Sequence, residues 1–347
     1  MGICSWADAA LIEDGSFYPK KSMTAQARLA WYARYFDTVE INSSFYAIPA
    51  ARNAVLWAAR TPPGFLFSVT AYAPMTGHHP RRETLPAEAQ RLLPQHPPLT
   101  RRGEVDSTAL PAEALDQIFR LFRAAIAPLH EAGKLGYVLF QLAPWVHFDH
   151  ARLAELAALP ARLPGVTIAL EFRHRSWLPD HADETLRTLR KAGLAHVIVD
   201  APGTPNAVPY VPEVTAPTAI FRLHGRNAQG WMSQLRGEEP AVREKYDYLY
   251  AEDELQALVP DVESAAAESE RVFVAFNNNN RAFPVQNALM MKRLLLIEDG
   301  GPDMAPKPPL GAPRGTRGAP RSPGIADLPG LADPPDTPDL PGIDSSV

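Results

Sequence analysis

At 347 residues with a formal charge of -5, the chain is long enough for a full α/β core. It is too acidic for a general polyanion binder, although a local basic cleft stays compatible with that charge. Its one cysteine, Cys4, excludes an internal disulfide and a cysteine-rich zinc site. No apolar run reaches the roughly 18–20 residues of a membrane span, and no basic segment followed by an apolar one opens the chain. The expectation is a soluble cytosolic protein with no membrane partner.

Eight short apolar strands are predicted along the chain. In order they are Gly2 to Ser5, Thr38 to Asn42, Phe65 to Thr70, Tyr137 to Leu142, Val166 to Phe172, His196 to Asp200, Ala219 to His224 and Arg271 to Asn277. Helical spacing fills most gaps. Thr24 can cap a helix carrying Leu29, Tyr32, Ala33 and Phe36. Ala51 to Arg60 stops at Thr61-Pro62-Pro63. Pro111 to Ala132 places Leu115, Ile118, Phe119, Phe122, Ile126 and Leu129 on one face and ends at Gly133. Asp149 to Leu159, Asp180 to Ala192, Glu239 to Leu258 and Pro284 to Ile297 read as further helices. Ala201 to Pro217 is Pro-rich, so one crossover is expected to be irregular. Pro74 to Leu110 is an excursion after the third strand, suited to a lid or a plain surface insertion. Residues 300 to 347, dense in Pro, Gly and Asp, are expected to be a disordered tail.

Alternating strands and helices imply parallel strands with right-handed crossovers. Eight units predict one domain, residues 1 to 299, folded as an α/β (β/α)8 TIM-type barrel. A doubly wound open sheet is the alternative, but no Gly-x-Gly-x-x-Gly turn follows the first strand. Side chains alternate across a strand. On that basis Glu40, Glu171, Ile198 with Asp200, Arg222 and Asn277 are assigned to the inner face, each charged or amide group at a carboxyl end. Barrel interiors are packed, so polar groups belong at the mouth, where barrel enzymes build their sites.

The predicted mouth holds Glu40, Asn42, Thr70, Gln141, Glu171, Arg173, Asp200, Arg222, His224 and Asn277, with Arg226 and Asn278 just beyond. Glu40 and Glu171 are candidates for general acid and base, provided their environments separate their pKa values. Arg173, Arg222 and Arg226 can clamp a carboxylate or phosphate, since guanidinium offers paired planar donors. The charge of those arginines should keep His224 neutral and able to act as a base. The run Asn277-Asn278-Asn279-Asn280 offers amides for orienting a ligand, or simply an Asn-rich turn. Asn42, Gln141 and Asp200 complete the ligand-binding set. Glu40, Glu171, Asp200 and His224 are a weaker metal set, since no strong ligand spacing is present. No metal or nucleotide cofactor motif is found. His147 and His150, and the pair His78-His79, are read as surface residues. Trp6, Trp145 and Trp177 follow strand ends and can stack on a sugar or base.

Five motifs then appear in order: YARYFDTVEINSSFYAIP (Tyr32 to Pro49), LFQLAPW (Leu139 to Trp145), EFRHRSW (Glu171 to Trp177), RLHGR (Arg222 to Arg226) and FNNN with a following NA (Phe276 to Ala288). Together they resemble the domain-of-unknown-function-72 family of YecE-like proteins, from about Gly2 to Leu296. The resemblance implies a TIM-type barrel and no established activity. Three departures stand out. Most of the first strand is missing relative to the family pattern, and an upstream start that restores it would give a more stable protein. Relatives tend to end the third strand in Lys, where this chain has Thr70, which weakens the expectation of a lysine-dependent step and of a strong anionic site. A Thr-His-type motif after it is replaced by Thr76-Gly77-His78-His79. The reading is an enzyme of hydrolase or lyase type acting on a small anionic or sugar-like ligand. The alternatives are a metal-assisted phosphodiesterase acting on nucleic acid, which is not favoured, and a non-enzymatic binding barrel.

Overall fold

The computed structural model describes residues 1–204, 206–235 and 245–297. The predicted tail and part of the helix expected from Glu239 lie outside them. Eight parallel strands close in sequence order into a barrel: β1 Gly2–Cys4, β2 Thr38–Ile41, β3 Leu66–Thr70, β4 Leu135–Gln141, β5 Ile168–Glu171, β6 Ala195–Asp200, β7 Thr218–Leu223 and β8 Arg271–Phe276. The expected (β/α)8 architecture is therefore present. β1 is only three residues long, yet it pairs with both β2 and β8 and so carries the seam. Gly2 is required there, because a Cβ would sit 2.0 Å from the backbone oxygen of Thr38.

Two apolar layers follow from strand alternation. The outer layer joins the strands to the helices. In the helix Ala112–Glu131, Ile118, Phe119, Phe122, Ile126 and Leu129 are all buried. Each such side chain stabilises by roughly 1.5–3 kcal/mol relative to an exposed position. The inner layer fills the barrel with Tyr137, Leu139, Ala169, Ala195, Val197, Val199, Ile220 and Phe273. This layer corrects one predicted phase. In β6 the inward residues are Val197 and Val199, while Ile198 belongs to the outer layer. Asp200 therefore faces away from the barrel axis. His196, Ile198 and Asp200 share the outer face and Ala195, Val197 and Val199 the inner one; both faces are buried and the run Val197 to Val199 is apolar on each, so the sequence does not say which face is inward.

The helices also differ from expectation in one crossover. The described part of the predicted Glu239–Leu258 helix begins as turn and irregular chain, and helix appears only at Glu252–Gln256 and Val259–Glu268. Pro260 lies in the first turn of the second helix, where its missing N–H costs nothing. A helix at Ala228–Leu235 was not predicted; the side chain of Asn227 accepts from the Gly230 N–H at its start (3.0 Å). The excursion after β3 folds back onto the barrel through buried Leu85, Ala89, Leu93 and Val105. No helix among the described residues is long and apolar enough to cross a membrane.

Candidate functional site

The carboxyl ends of β1, β2, β4 and β5 meet around one guanidinium carried by β7. Arg222, on β7, is 2% exposed. Its Nη2 donates to Glu40 Oε1 of β2 (2.7 Å), and its Nη1 donates to Glu171 Oε2 of β5 and to Gln141 Oε1 of β4 (3.3 Å). Tyr137 donates to the other oxygen of Glu40 (3.3 Å). Burial alone would make Arg222 easier to deprotonate, but Glu171 and Glu40 outweigh it and hold it firmly charged.

Glu171 is fully buried and engaged on both oxygens. Oε1 lies 2.6 Å from Arg173 Nε and 3.2 Å from His224 Nε2. Burial pushes its carboxyl up, yet Arg173, Arg222 and His224 pull harder and keep it well below the ordinary range. It is a permanent anion near neutral pH.

His224 is equally buried, and its second nitrogen, Nδ1, lies 2.8 Å from the Asn277 amide. Its pKa falls to about 3, chiefly through burial, with Arg173 and Arg222 adding to the effect against Glu171. The predicted direction holds, but desolvation leads where arginine charge was expected to. A neutral ring has one proton and one lone pair. Glu171 needs the proton on Nε2, so Nδ1 accepts from Asn277. Both nitrogens are occupied, so His224 orients Glu171 and has no free lone pair for a substrate.

Arg173 follows β5 and is 14% exposed on its side chain. Only its Nε faces Glu171. That contact is an ion pair and not an aligned hydrogen bond, because Nε is buried without a hydrogen-bond partner; among the described residues no partner is found for the two terminal nitrogens. Its guanidinium lies 5.9 Å from the ring centroid of Trp231. Beside it, burial raises the Tyr246 hydroxyl, but Lys245, Arg173 and Arg222 lower it further, so the field in the mouth is positive.

Other predicted residues stand apart from this network. Asp200 binds Arg226 through both oxygens (2.8–3.1 Å) and accepts from Tyr250 (2.6 Å). Arg226 also reaches Glu254 (3.2 Å). This pair ties the β6 and β7 loops to the helix beyond, and Arg226 is not an open clamp. Asn278, fully buried, donates to Tyr248 O and to Asn287 Oδ1. Asn279 stitches β8 to the Cys4 carbonyl (3.0 Å), so much of the asparagine run serves the fold. Asn42 accepts from Thr70 at 3.4 Å at the edge of the mouth. The four-residue metal set is dispersed: Asp200 points outward, and Arg222 occupies Glu40 and Glu171. Among the described residues no group of three His, Cys, Asp or Glu side chains could hold a metal ion.

Sequence reading missed His78. It is buried rather than superficial, at 8% exposure. Thr76 donates its hydroxyl proton to Ala73 O (2.9 Å), and its oxygen lies 2.8 Å from His78 Nδ1. The His78 proton therefore sits on Nδ1, leaving Nε2 as a lone pair with no partner among the described residues. Burial first, then Arg173 and His79, lower this ring to about 3. The available signal was the Thr76-x-His78 spacing with Gly77, whose φ of 86° makes the turn that brings the two side chains together. His147 and His150 are exposed as expected. Of the three candidate stacking tryptophans, Trp6 packs on Trp57 and Phe67, and Trp177 is fully buried. Trp145 lines a cavity.

These features define a (β/α)8 barrel whose carboxyl-terminal mouth carries a buried network of alternating charge. The chain belongs to the family described as "Protein of unknown function DUF72", which matches residues 1–311. It is 33% identical over 311 residues to the UPF0759 protein YunF of Bacillus subtilis, covering 88% of this chain and 97% of that protein. A solved DUF72 family protein of Enterococcus faecalis superposes with a TM-score of 0.70 at 26% identity, covering 87% of this chain and 98% of that one. A second, from Thermotoga maritima, gives a TM-score of 0.64 at 29% identity, covering 85% and 99%.

Proposed function

We propose that the protein is an enzyme of the hydrolase or lyase type that takes a small anionic or sugar-like ligand at the barrel mouth. One observation carries this reading. Arg173 is held beside ionised Glu171 by an ion pair through Nε, and among the described residues its two terminal donors have no partner. A guanidinium held this way is preorganised to bind a carboxylate or phosphate through paired hydrogen bonds.

The remaining residues take roles around that fork. Arg222, Gln141 and Glu40 hold Glu171 in place, and His224 with Asn277 fixes its orientation. Glu40 and Glu171 are bridged by one guanidinium, so they do not face each other across a gap as a glycosidase pair does. The proton acceptor is instead His78, through its open Nε2, on a loop at the same end of the barrel. A neutral imidazole in a fixed tautomer suits general-base work.

Isothermal titration with inorganic phosphate and D-glucuronate tests the fork. Wild type should bind at least one of them saturably; Arg173→Met should abolish that binding, and Arg173→Lys should keep less than a tenth of the affinity. Unchanged affinity in Arg173→Met removes the anion assignment. For a phosphate ester or uronide that is turned over, His78→Asn should retain binding and lose turnover; undiminished turnover refutes the base assignment.

A further inference from the structure

A cavity of about 320 Å³ opens at the same end of the barrel, and of the residues singled out in the sequence as ligand contacts only Trp145 is in its lining. It is built by the loops after β2, β3 and β4, at the same end of the barrel, with part of its wall from the excursion. Its lining is dominated by ring side chains: Phe45, Tyr46, Tyr72, Trp145, His78 and His79. These rings are held by the fold. Trp145 donates its indole N–H to Gly77 O (3.2 Å) and stacks against His79, with centroids 5.2 Å apart and planes 8° from parallel. Phe45 and Trp145 each meet His78 edge-on. Tyr72 is tied by its hydroxyl to Thr84 O (2.8 Å).

Two properties assign an occupant. The volume lies at the lower end of the range for small-molecule pockets, so it fits a single ring system and not a polymer segment. The inner wall is His78, whose ring also feels the charge of Arg173. The backbone joins the two: Leu142 N donates to Glu171 O (2.9 Å) and Ala143 N to Thr76 O (3.3 Å), so the loops that carry His78 and Trp145 adjoin the strand end that leads to Arg173. The outer edge carries Arg81 and Arg101, both exposed and without partners among the described residues. Exposed cations at a pocket rim raise the local concentration of anions.

We propose that this cavity is a subsite for a planar ring, so that the ligand of the mouth is a small ring-bearing acid. Its negative group lies on Arg173, its ring rests among Trp145, Phe45 and Tyr46, and His78 Nε2 accepts a hydrogen bond at the junction. The proposal rests on the anion-fork reading and narrows it to one class of acid.

Titration of the full chain with phenyl phosphate, inorganic phosphate and phenol tests it. Phenyl phosphate should bind at least tenfold more tightly than inorganic phosphate, and phenol weakly. Trp145→Ala should remove about tenfold of the phenyl phosphate affinity, the scale of one lost ring contact, and leave inorganic phosphate unchanged. Tyr46 is 38% exposed, so Tyr46→Ala should fold normally and weaken phenyl phosphate severalfold. Equal binding of the two phosphates, or no effect of either substitution on phenyl phosphate, overturns the subsite. If phosphate binding still depends on Arg173 in that case, the fork survives alone. If the ring preference persists in Arg173→Met, the subsite survives and the fork assignment fails. Binding of neither phosphate overturns the subsite, and if D-glucuronate also fails to bind, the fork falls with it.

Discussion

Replacing Arg222 by Met tests whether the charge network is the organising feature of the mouth. The substitution keeps much of the side-chain volume and removes the only cation bonded to Glu40 among the described residues. Glu171 keeps Arg173 and His224, whereas Glu40 is left with two neutral donors, the Tyr137 hydroxyl at 3.3 Å and the Cys4 thiol. Breaking a buried ion pair from one side costs about 3–5 kcal/mol. For a domain of this size that is a fall in Tm of roughly 10 °C. The orphaned Glu40 carboxyl should then take up a proton in the folded variant. A carboxyl raised above its unfolded value loses stability as pH rises. The deficit of Arg222→Met relative to wild type should therefore be larger at pH 8 than at pH 5. Glu40→Gln added to Arg222→Met removes the stranded charge and should recover about half of the loss. Urea melts of the four chains at both pH values form the complete cycle. A loss below about 1 kcal/mol for Arg222→Met, or simple additivity in the double variant, would falsify the account of the network.

Other consequences follow from burial and backbone geometry. His78, His196 and His224 are held neutral in the folded chain, with pKa values of about 3, 4 and 3. An unfolded histidine takes a proton below its ordinary 6.5, so the stability these groups protect is complete above that value and lost as pH falls. By pH 5 each contributes a loss of up to about 2 kcal/mol; a Tm that stays flat from pH 7.5 to pH 5 would count against this burial. Glu171, held well below its ordinary value, should add a further loss as pH falls below about 4.5. Gly225, in the RLHGR motif, has φ +86°, and a Cβ there would lie 2.7 Å from Tyr248 Cβ. Gly225→Ala should cost about 2–5 kcal/mol from left-handed strain and overpacking, and an unchanged thermal melt would show that the loop has room to move.

Much of the site was written in local sequence. The segments Thr38 to Ile41, Ile168 to Glu171 and Thr218 to Leu223 each switch from apolar to charged at the carboxyl end. Alternation then places Glu40, Glu171 and Arg222 on one face, as the barrel interior requires. Closure into eight parallel strands was legible for the same reason, since each strand is followed by a span long enough to cross over. What sequence could not fix was any choice that depends on a neighbour. The phase of β6 is undetermined in a strand buried on both faces and is set by packing, which turns Asp200 toward Arg226 and Tyr250. The availability of a lone pair is likewise tertiary. His224 and His78 are both buried imidazoles at loop positions, but Asn277 and Glu171 enclose the first, while Thr76 engages only one nitrogen of the second. The ring-lined cavity is more remote still, because its walls come from three separate loops and no periodic pattern links them. Strand alternation is a property of the chain's own geometry and can be read residue by residue. Pairing, burial and open donor valence belong to contacts between distant segments, and only the folded barrel decides them.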